Sequence, residues 1–151
     1  MRIAVDNLSG PQIVQFLADH VQQMRSITPV ESKHALGLEG LRRPEVTFWS
    51  AMEGDAVVGC GAIARLDASH AELKSMRTAP ARTRGGVASQ LLGHILTEAQ
   101  ALGFTRLSLE TGAADFFLPA RKLYEKFGFD YCAPFADYRP DPNSVFMTKA
   151  L

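Results

Sequence analysis

The sequence lacks a net charge, because 16 lysine and arginine residues are balanced by 16 aspartate and glutamate residues. A zero balance gives no broad basic field to hold nucleic-acid phosphates, so nucleic-acid binding is not expected. Long apolar runs are also missing. The longest, residues 57–64, is far shorter than the roughly 18 residues of a membrane helix and contains two glycines. We therefore expect no membrane-spanning segment.

Cysteine is scarce and histidine is scattered. Cys60 and Cys132 have no CxxC or Cys/His spacing typical of metal ligands, and the four histidines form no HExxH motif. We expect no metal site and interpret both cysteines as small buried residues of a reducing cytoplasm. The first six residues have no basic segment followed by an apolar one, so no secretory signal is indicated and a cytoplasmic protein is expected.

The apolar residues that are present suffice for one core. With 151 residues, 46% of them hydrophobic, a single domain spanning residues 1–151 is expected. Alternating patterns predict strands at residues 2–6, 46–52, 56–66, 70–78, 106–111, 129–132 and 144–148. Helical periodicity predicts helices at residues 13–24, 31–41, 87–102 and 116–127. This order indicates an α/β (α+β) fold with a mixed central sheet flanked by helices.

A glycine pair precedes the third predicted helix, in the turn Arg84-Gly85-Gly86-Val87-Ala88-Ser89. Adjacent glycines at a helix N-terminus leave backbone N–H groups accessible, and the helix dipole adds positive potential that suits a phosphate. Arg82 and Arg84 add charge. A GxxxxGK[ST] motif and a GxGxxG motif are both absent. From these residues alone, a phosphate site and a simple sharp connection both remain open.

The fourth predicted helix carries the segment Ala120-Arg121-Lys122-Leu123-Tyr124, which continues to Gly128 and Phe129. Ala120, Leu123 and Phe127 share one face of this helix. The spacing places Tyr124 at the edge of that apolar stripe, with its hydroxyl able to reach a cleft. A tyrosine at the edge of the core is the alternative interpretation.

Together with residues 74–78, these two segments resemble the GCN5-related N-acetyltransferase (GNAT) family, and residues 109–112 and 134–149 are similar to a poorly characterised bacterial subgroup. In that family the fourth and fifth strands splay apart, and the pantetheine arm of acetyl-coenzyme A lies in the gap. The resemblance implies acetyl-coenzyme A as co-substrate. It assigns cofactor binding to Met76, Arg77, Thr78, Arg82, Arg84, Gly85, Gly86, Val87, Ala88 and Ser89. Two positions differ from the family pattern: Thr83 replaces a usual Gln or Arg, and Phe117 replaces a frequent Asn.

The resemblance also implies a mechanism. Tyr124 is expected to protonate the departing thiolate, and a main-chain N–H near Met76 to polarise the thioester carbonyl. Either Glu72 or Glu110 is expected to accept the amine proton, directly or through water. A covalent acetyl-cysteine is disfavoured because Cys60 has no neighbouring cue for activation.

The acceptor is expected to be a small-molecule or protein amine. The outer wall of its pocket is assigned to the first helices and the late loop, with polar contacts from Glu31, Ser32, His34, Tyr138 and Asn143. The resemblance to the family also makes a homodimer an option for this chain. Two alternatives remain at this point: a non-catalytic acyl-coenzyme A sensor or complex subunit, and a structural domain that binds no cofactor.

Overall fold

A computed structural model describes residues 1–27, 37–83 and 85–151 of the protein, without the side chains of residues 25–27. The strands are β1 (Arg2–Val5), β2 (Val46–Glu53), β3 (Ala56–Arg65), β4 (His70–Thr78), β5 (Arg106–Gly112), β6 (Asp130–Tyr131) and β7 (Ser144–Ala150). The helices are α1 (Pro11–Ile27), α2 (Leu38–Leu41), α3 (Val87–Ala101) and α4 (Leu118–Lys126).

One seven-stranded sheet organises the molecule, in the order β1-β2-β3-β4-β5-β7-β6. The pair β4 and β5 is parallel, and the other neighbouring pairs are antiparallel. The meander of β2, β3 and β4 follows the sequence pattern, with Gly54 at φ +59° in the first hairpin turn. Parallel strands need a crossover connection, which α3 supplies between β4 and β5. The expected mixed α/β fold is confirmed.

Helices cover both faces of the sheet and bury two apolar clusters. On the face covered by α3 and α4, here the α3 face, the buried residues include Trp49, Leu73, Leu91, Ile95, Leu107 and Met147. On the opposite face, here the α1 face, they are Leu8, Ile13, Leu17, Leu41, Phe48, Cys60 and Ala62. No helix in the described ranges is long and apolar enough to cross a membrane.

The helix ends differ from the predicted ones for local reasons. The helix α3 stops at Ala101, so Leu102 lies at the C-cap with half of its surface exposed instead of on the buried face. Gly103 follows at φ +94° and turns the chain away. Before α4, a 3-10 turn occupies Asp115–Phe117, and Pro119 lies in the first turn of the α-helix, where a missing N–H costs nothing.

Candidate active site

The strands β4 and β5 separate halfway along their length. They pair from His70 opposite Arg106 to Leu73 opposite Leu109, and no further. Beyond this point β4 stays with β3 as far as Thr78, while β5 stays with β7 as far as Gly112. The opening between the two strands, here the fork, removes the inter-strand hydrogen bonds from one end of each strand. It leaves polar backbone at the centre of the sheet available to a ligand.

A β-bulge lies on the β4 side of the fork. Lys74 pairs with Ala62 and Arg77 with Cys60, so two residues of β4, Ser75 and Met76, face one residue of β3. Ser75 has φ +58°, in the left-handed region that non-glycine residues rarely adopt. Neither Ser75 nor Met76 has a partner in the β3–β4 register, as is typical of bulged residues next to active sites. Ser75 had no sequence signal.

Glycines on β3 make room for this arrangement. A Cβ atom on Gly61 would lie 2.6 Å from Sδ of Met76 and 2.7 Å from Cδ1 of Ile95. A Cβ on Gly59 would lie 2.8 Å from side-chain atoms of Val87 and Leu91. These distances are shorter than real Cβ contacts, so an alanine at either position would force the neighbouring side chains of α3 and Met76 to shift.

The glycine turn leads from β4 into α3. A 3-10 turn at Pro80–Arg82 precedes it, and Gly86 is the N-cap of α3 with φ +85°, which requires glycine. Among the described residues no side chain caps the helix, so its first N–H groups remain available to an anion. Gly85 and Gly86 are exposed, whereas Val87 is buried and anchors the helix. Ala88 and Ser89 are half-buried in the first turn.

The arginines of this turn are placed differently from each other. Arg82 forms an ion pair with Glu53, and both side chains are more than a third exposed. The pairing is therefore weak, and water or an anionic ligand can compete for the guanidinium. Arg84 lies outside the described residues. The backbone of Thr78 ends β4, directly before the turn.

Tyr124 lies on the β5 side of the fork and is more buried than an edge position implies. Only 6% of it is exposed, and its ring packs edge-on against Phe129 at a centroid distance of 5.7 Å. Burial raises the pKa of Tyr124 well above its ordinary value, and the negative charge of Glu110 raises it further. Arg121 donates to the carbonyl oxygens of Gly112 (2.7 Å) and Ala114 (3.1 Å), which ties α4 to the end of β5.

Glu110 is the first residue of β5 beyond the paired segment. It lies opposite Phe146 of β7 and is half-buried. Its charge raises the pKa of Tyr138 as well as that of Tyr124. The carboxylate is therefore within electrostatic range of both tyrosines, at the start of the fork.

A compact polar group, here the Glu72 cluster, consists of Glu72, Lys74 and Tyr138. The hydroxyl of Tyr138 donates to Oε2 of Glu72 at 2.5 Å, and Nζ of Lys74 donates to the same oxygen and to the tyrosine hydroxyl, each at 3.0 Å. Burial raises the pKa of Tyr138 above its ordinary value, and the negative charge of Glu72 raises it further. Glu72 and Tyr138, which the sequence assigned to separate roles, thus form one unit, and Lys74 is a further member.

Aromatic rings continue from the Glu72 cluster along the late loop. Phe135 lies 5.2 Å from Tyr138 and 6.0 Å from Phe146, and Tyr138 lies 5.4 Å from Phe146, as ring centroid distances. Asn143 lies in the turn before β7, where its carbonyl accepts from the N–H of Ala113 at 3.0 Å. This aromatic wall was not predicted, because its rings come from a loop and a strand without a shared periodicity.

Three further predictions concern the early helices, the cysteines and a metal site. Glu31, Ser32 and His34 lie outside the described residues. Cys60 is fully buried, and burial raises the pKa of its thiol to about 12, which argues against a nucleophilic thiolate at neutral pH. Among the described residues, no group of three or more His, Cys, Asp or Glu side chains has the arrangement of a metal site.

A family model for the acetyltransferase (GNAT) family matches residues 13–129. This chain belongs to the GNAT family. Its curated relatives include two uncharacterised N-acetyltransferases. YsnE of Bacillus subtilis is 59% identical over 100% of both chains. YedL of Escherichia coli is 50% identical over 99% of this chain and 94% of that protein. A protein of Azospirillum brasilense named IAA acetyltransferase is 39% identical over 92% of this chain and 90% of that protein.

Solved structures of acetyltransferases have the same fold. An acetyltransferase from Streptococcus agalactiae aligns with a TM-score of 0.74 at 23% identity, over 99% of this chain and 98% of that one. An aminoglycoside 6'-N-acetyltransferase complexed with coenzyme A aligns with a TM-score of 0.76 at 16% identity, over 99% of this chain and 97% of that one. The resemblance to a poorly characterised bacterial GNAT subgroup is confirmed, and the protein is an acyltransferase.

Proposed function

We propose that this protein transfers an acetyl group from acetyl-coenzyme A to an amine by direct attack. The observation that carries the proposal is the fork. The bulge residues Ser75 and Met76, which have no partner in the β3–β4 register, lie on one side of it, and the buried Tyr124 with Glu110 lies on the other. A thioester placed between them would meet a hydrogen-bond donor and a proton donor at once.

The glycine turn supplies the other end of the cofactor site. The uncapped N-terminus of α3 offers backbone N–H groups, and the helix dipole favours the pyrophosphate of coenzyme A. The bound co-substrate would run from this turn into the fork, because α3 begins where β4 ends. The replacements at Thr83 and Phe117 leave these backbone donors unchanged.

Attack on the thioester carbonyl creates a tetrahedral oxyanion. We assign its stabilisation to the backbone N–H of Met76, which the β3–β4 register leaves without a ladder partner. A preorganised donor of this kind typically lowers the barrier by about 2.7–4 kcal/mol. The tight packing of Met76 on Gly61 holds the backbone at this point.

Collapse of the intermediate releases the coenzyme A thiolate, which must be protonated. Tyr124 is assigned as the acid, because its raised pKa keeps the hydroxyl protonated at neutral pH. A thiolate formed in the same buried space is also poorly solvated, so its affinity for a proton rises as well. The two shifts act in the same direction and keep the transfer feasible.

Of the two candidate bases, we favour Glu110. Glu72 already accepts a hydrogen bond from Tyr138 and one from Lys74 on a single oxygen, and it is buried. These contacts suit a role for Glu72 in positioning Tyr138 at the aromatic wall. Glu110 is half-buried at the start of the fork, where a carboxylate can take the amine proton directly or through a water molecule.

The test is release of free thiol from acetyl-coenzyme A in the presence of a broad amine panel. The panel also contains IAA, because one relative is named for it. Turnover with at least one acceptor is expected. Calorimetric binding of acetyl-coenzyme A without turnover of any acceptor would instead favour a non-catalytic acyl-coenzyme A sensor. The absence of both binding and turnover would contradict the proposed cofactor.

Tyr124→Phe tests the assignment of the acid. It is expected to lower kcat by about 100-fold or more and to change the KM for acetyl-coenzyme A little, because the proton is needed only in the transition state. The matched control is Tyr131→Phe, since Tyr131 is exposed and its hydroxyl bonds to Glu125. An unchanged kcat in a folded Tyr124→Phe variant would remove Tyr124 from the mechanism.

A further inference from the structure

The bulge in β4 decides where the side chain of Arg77 points. Successive residues of a strand face opposite sides, so one extra residue reverses the orientation of everything after it. Lys74 pairs with Ala62 before the bulge and Arg77 with Cys60 after it, and Ala62 and Cys60 both belong to the α1-face cluster. Arg77 therefore shares the α1 face with Glu72 and Lys74. Without the bulge it would face α3.

Arg77 is a half-buried cation without an acidic partner among the residues that the structure describes. Other cations around the fork are engaged: Lys74 by Glu72, Arg82 by Glu53, and Arg121 by the carbonyls of Gly112 and Ala114. Arg77 makes no ion pair or side-chain hydrogen bond within the described ranges. Burying a guanidinium without a partner is costly, and an anionic ligand at Arg77 would offset part of that cost.

A second polar group, His20, lies within electrostatic range of Arg77. His20 follows Ile13 and Leu17 at helical spacing on the inner face of α1, the face that packs on Cys60 and Ala62. Its Nδ1 atom is buried and has no hydrogen-bond partner in the described part of the chain. Burial, and to a smaller extent the positive charge of Arg77, lowers the pKa of His20 to about 4. The ring is therefore neutral at pH 7, and one of its nitrogens can donate a hydrogen bond.

The neighbouring acidic group is already engaged. The charge of Asp6 acts on Cys60, which lies beside Arg77, but Oδ1 of Asp6 accepts the N–H of Leu8 at 2.7 Å in the turn before α1. Two hydrogen-bond donors therefore lie on the α1 face of the sheet. The guanidinium of Arg77 follows the bulge in β4, and the imidazole of His20 belongs to α1, which packs on this face. Their combined charge is one positive unit, which matches a single carboxylate.

We propose that Arg77 and His20 bind a carboxylate of the acceptor, so that the enzyme acetylates amines that carry an acidic group. The inference rests on the proposed function. Arg77 directly follows Met76, the assigned oxyanion donor, and one strand residue spans about 3.3 Å. A small molecule can therefore place its amine at the fork while its carboxylate meets the guanidinium.

The experiment compares amino acids with their amides, at a pH where the amines of both are largely neutral, so that the main remaining difference is the carboxylate charge. For the wild type, kcat/KM is expected to favour the acid over its amide by roughly 10- to 100-fold, the range of charge-assisted hydrogen bonds. Arg77→Gln is expected to bring this ratio close to one, and Arg77→Lys to restore part of it. His20→Gln should lower the ratio less. The matched control is Arg65→Gln, since Arg65 is exposed and stacks on Phe104.

The outcomes distinguish the carboxylate site from the acetyltransferase activity. Turnover with equal preference for acids and amides would overturn the carboxylate site and leave the acetyltransferase intact. A rise in the KM for acetyl-coenzyme A in Arg77→Gln, with the acid preference kept, would mean that Arg77 holds a phosphate of the cofactor, and would also overturn it.

Binding measurements keep the site testable without turnover. With coenzyme A present, thermal shifts are measured with the amino acids and their amides for the wild type and Arg77→Gln. Stabilisation by acids but not amides, lost in Arg77→Gln, supports the site even if no amine is acetylated. Equal shifts in both proteins would contradict it. Melting of each variant without ligand shows whether it is folded.

Discussion

Single residues hold the bulge in place, and Gly61 is the clearest case. A Cβ at this position would meet Sδ of Met76 at 2.6 Å and Cδ1 of Ile95 at 2.7 Å. Gly61→Ala is therefore expected to destabilise the fold by about 1–3 kcal/mol, the range of overpacked cores, and to lower kcat because the backbone at Met76 shifts. Chemical denaturation and steady-state kinetics measure the two effects.

Gly93→Ala provides the matched control within α3. Its Cβ would lie 3.9 Å from Phe127, an ordinary contact. Alanine favours helix over glycine, so this variant is expected to gain about 0.5–1 kcal/mol and to keep its kcat. Equal stability changes in both variants would contradict the packing explanation for Gly61.

Single residues also show which features of the site the sequence could not predict. Glu72, Glu110 and Tyr124 could be chosen as candidates from the sequence, because strand alternation and the tyrosine segment are local features. The contact between Glu72 and Tyr138 joins residues 66 positions apart. The left-handed Ser75 lies in a segment with no glycine or asparagine to signal it. Neither feature has a local cause that a pattern can reveal.

At the scale of elements, the turn before α3 depends on a glycine with positive φ. Gly86 has φ +85°, where alanine costs about 1–2 kcal/mol. Gly86→Ala is expected to lower stability by this amount and to weaken acetyl-coenzyme A binding, because relaxation of the turn moves the N–H groups that would hold the pyrophosphate. Gly103→Ala is the control, since Gly103 has φ +94° at the far end of the same helix.

Calorimetry with acetyl-coenzyme A distinguishes the two variants. Both are expected to lose similar stability, while only Gly86→Ala loses affinity. Equal affinities in the two variants would mean that the turn is a structural connection rather than a phosphate site.

Element boundaries were predictable where a local signal ends them, as with the hairpin at Gly54 and the closing glycines of α3 and α4. The fork was not predictable from the residues by themselves. It arises because β4 continues on β3 while β5 continues on β7, and a choice between partners distant in sequence has no periodic signal. Only the resemblance to the GNAT family indicated it.

At the scale of the whole molecule, the interface between α1 and the sheet predicts how stability depends on pH. His20 has a pKa of about 4 in the folded protein, below the ordinary value of 6.5, because of burial and the charge of Arg77. Below pH 6.5 the unfolded chain binds a proton that the folded chain does not bind. Stability is therefore complete above about pH 6.5, falls as the pH drops to about 4, and levels off below that.

The shift corresponds to a loss of about 3 kcal/mol from this residue. His20→Gln is expected to remove that loss, so its unfolding free energy changes less between pH 6.5 and 4 than that of the wild type. The matched His94→Gln variant makes the same substitution at a half-exposed histidine of α3, so it controls for replacing a histidine by glutamine. Urea denaturation across the pH range measures all three proteins. Parallel curves for the wild type and His20→Gln would show that the ring is solvated, and would also weaken the case for His20 as a donor to a bound carboxylate.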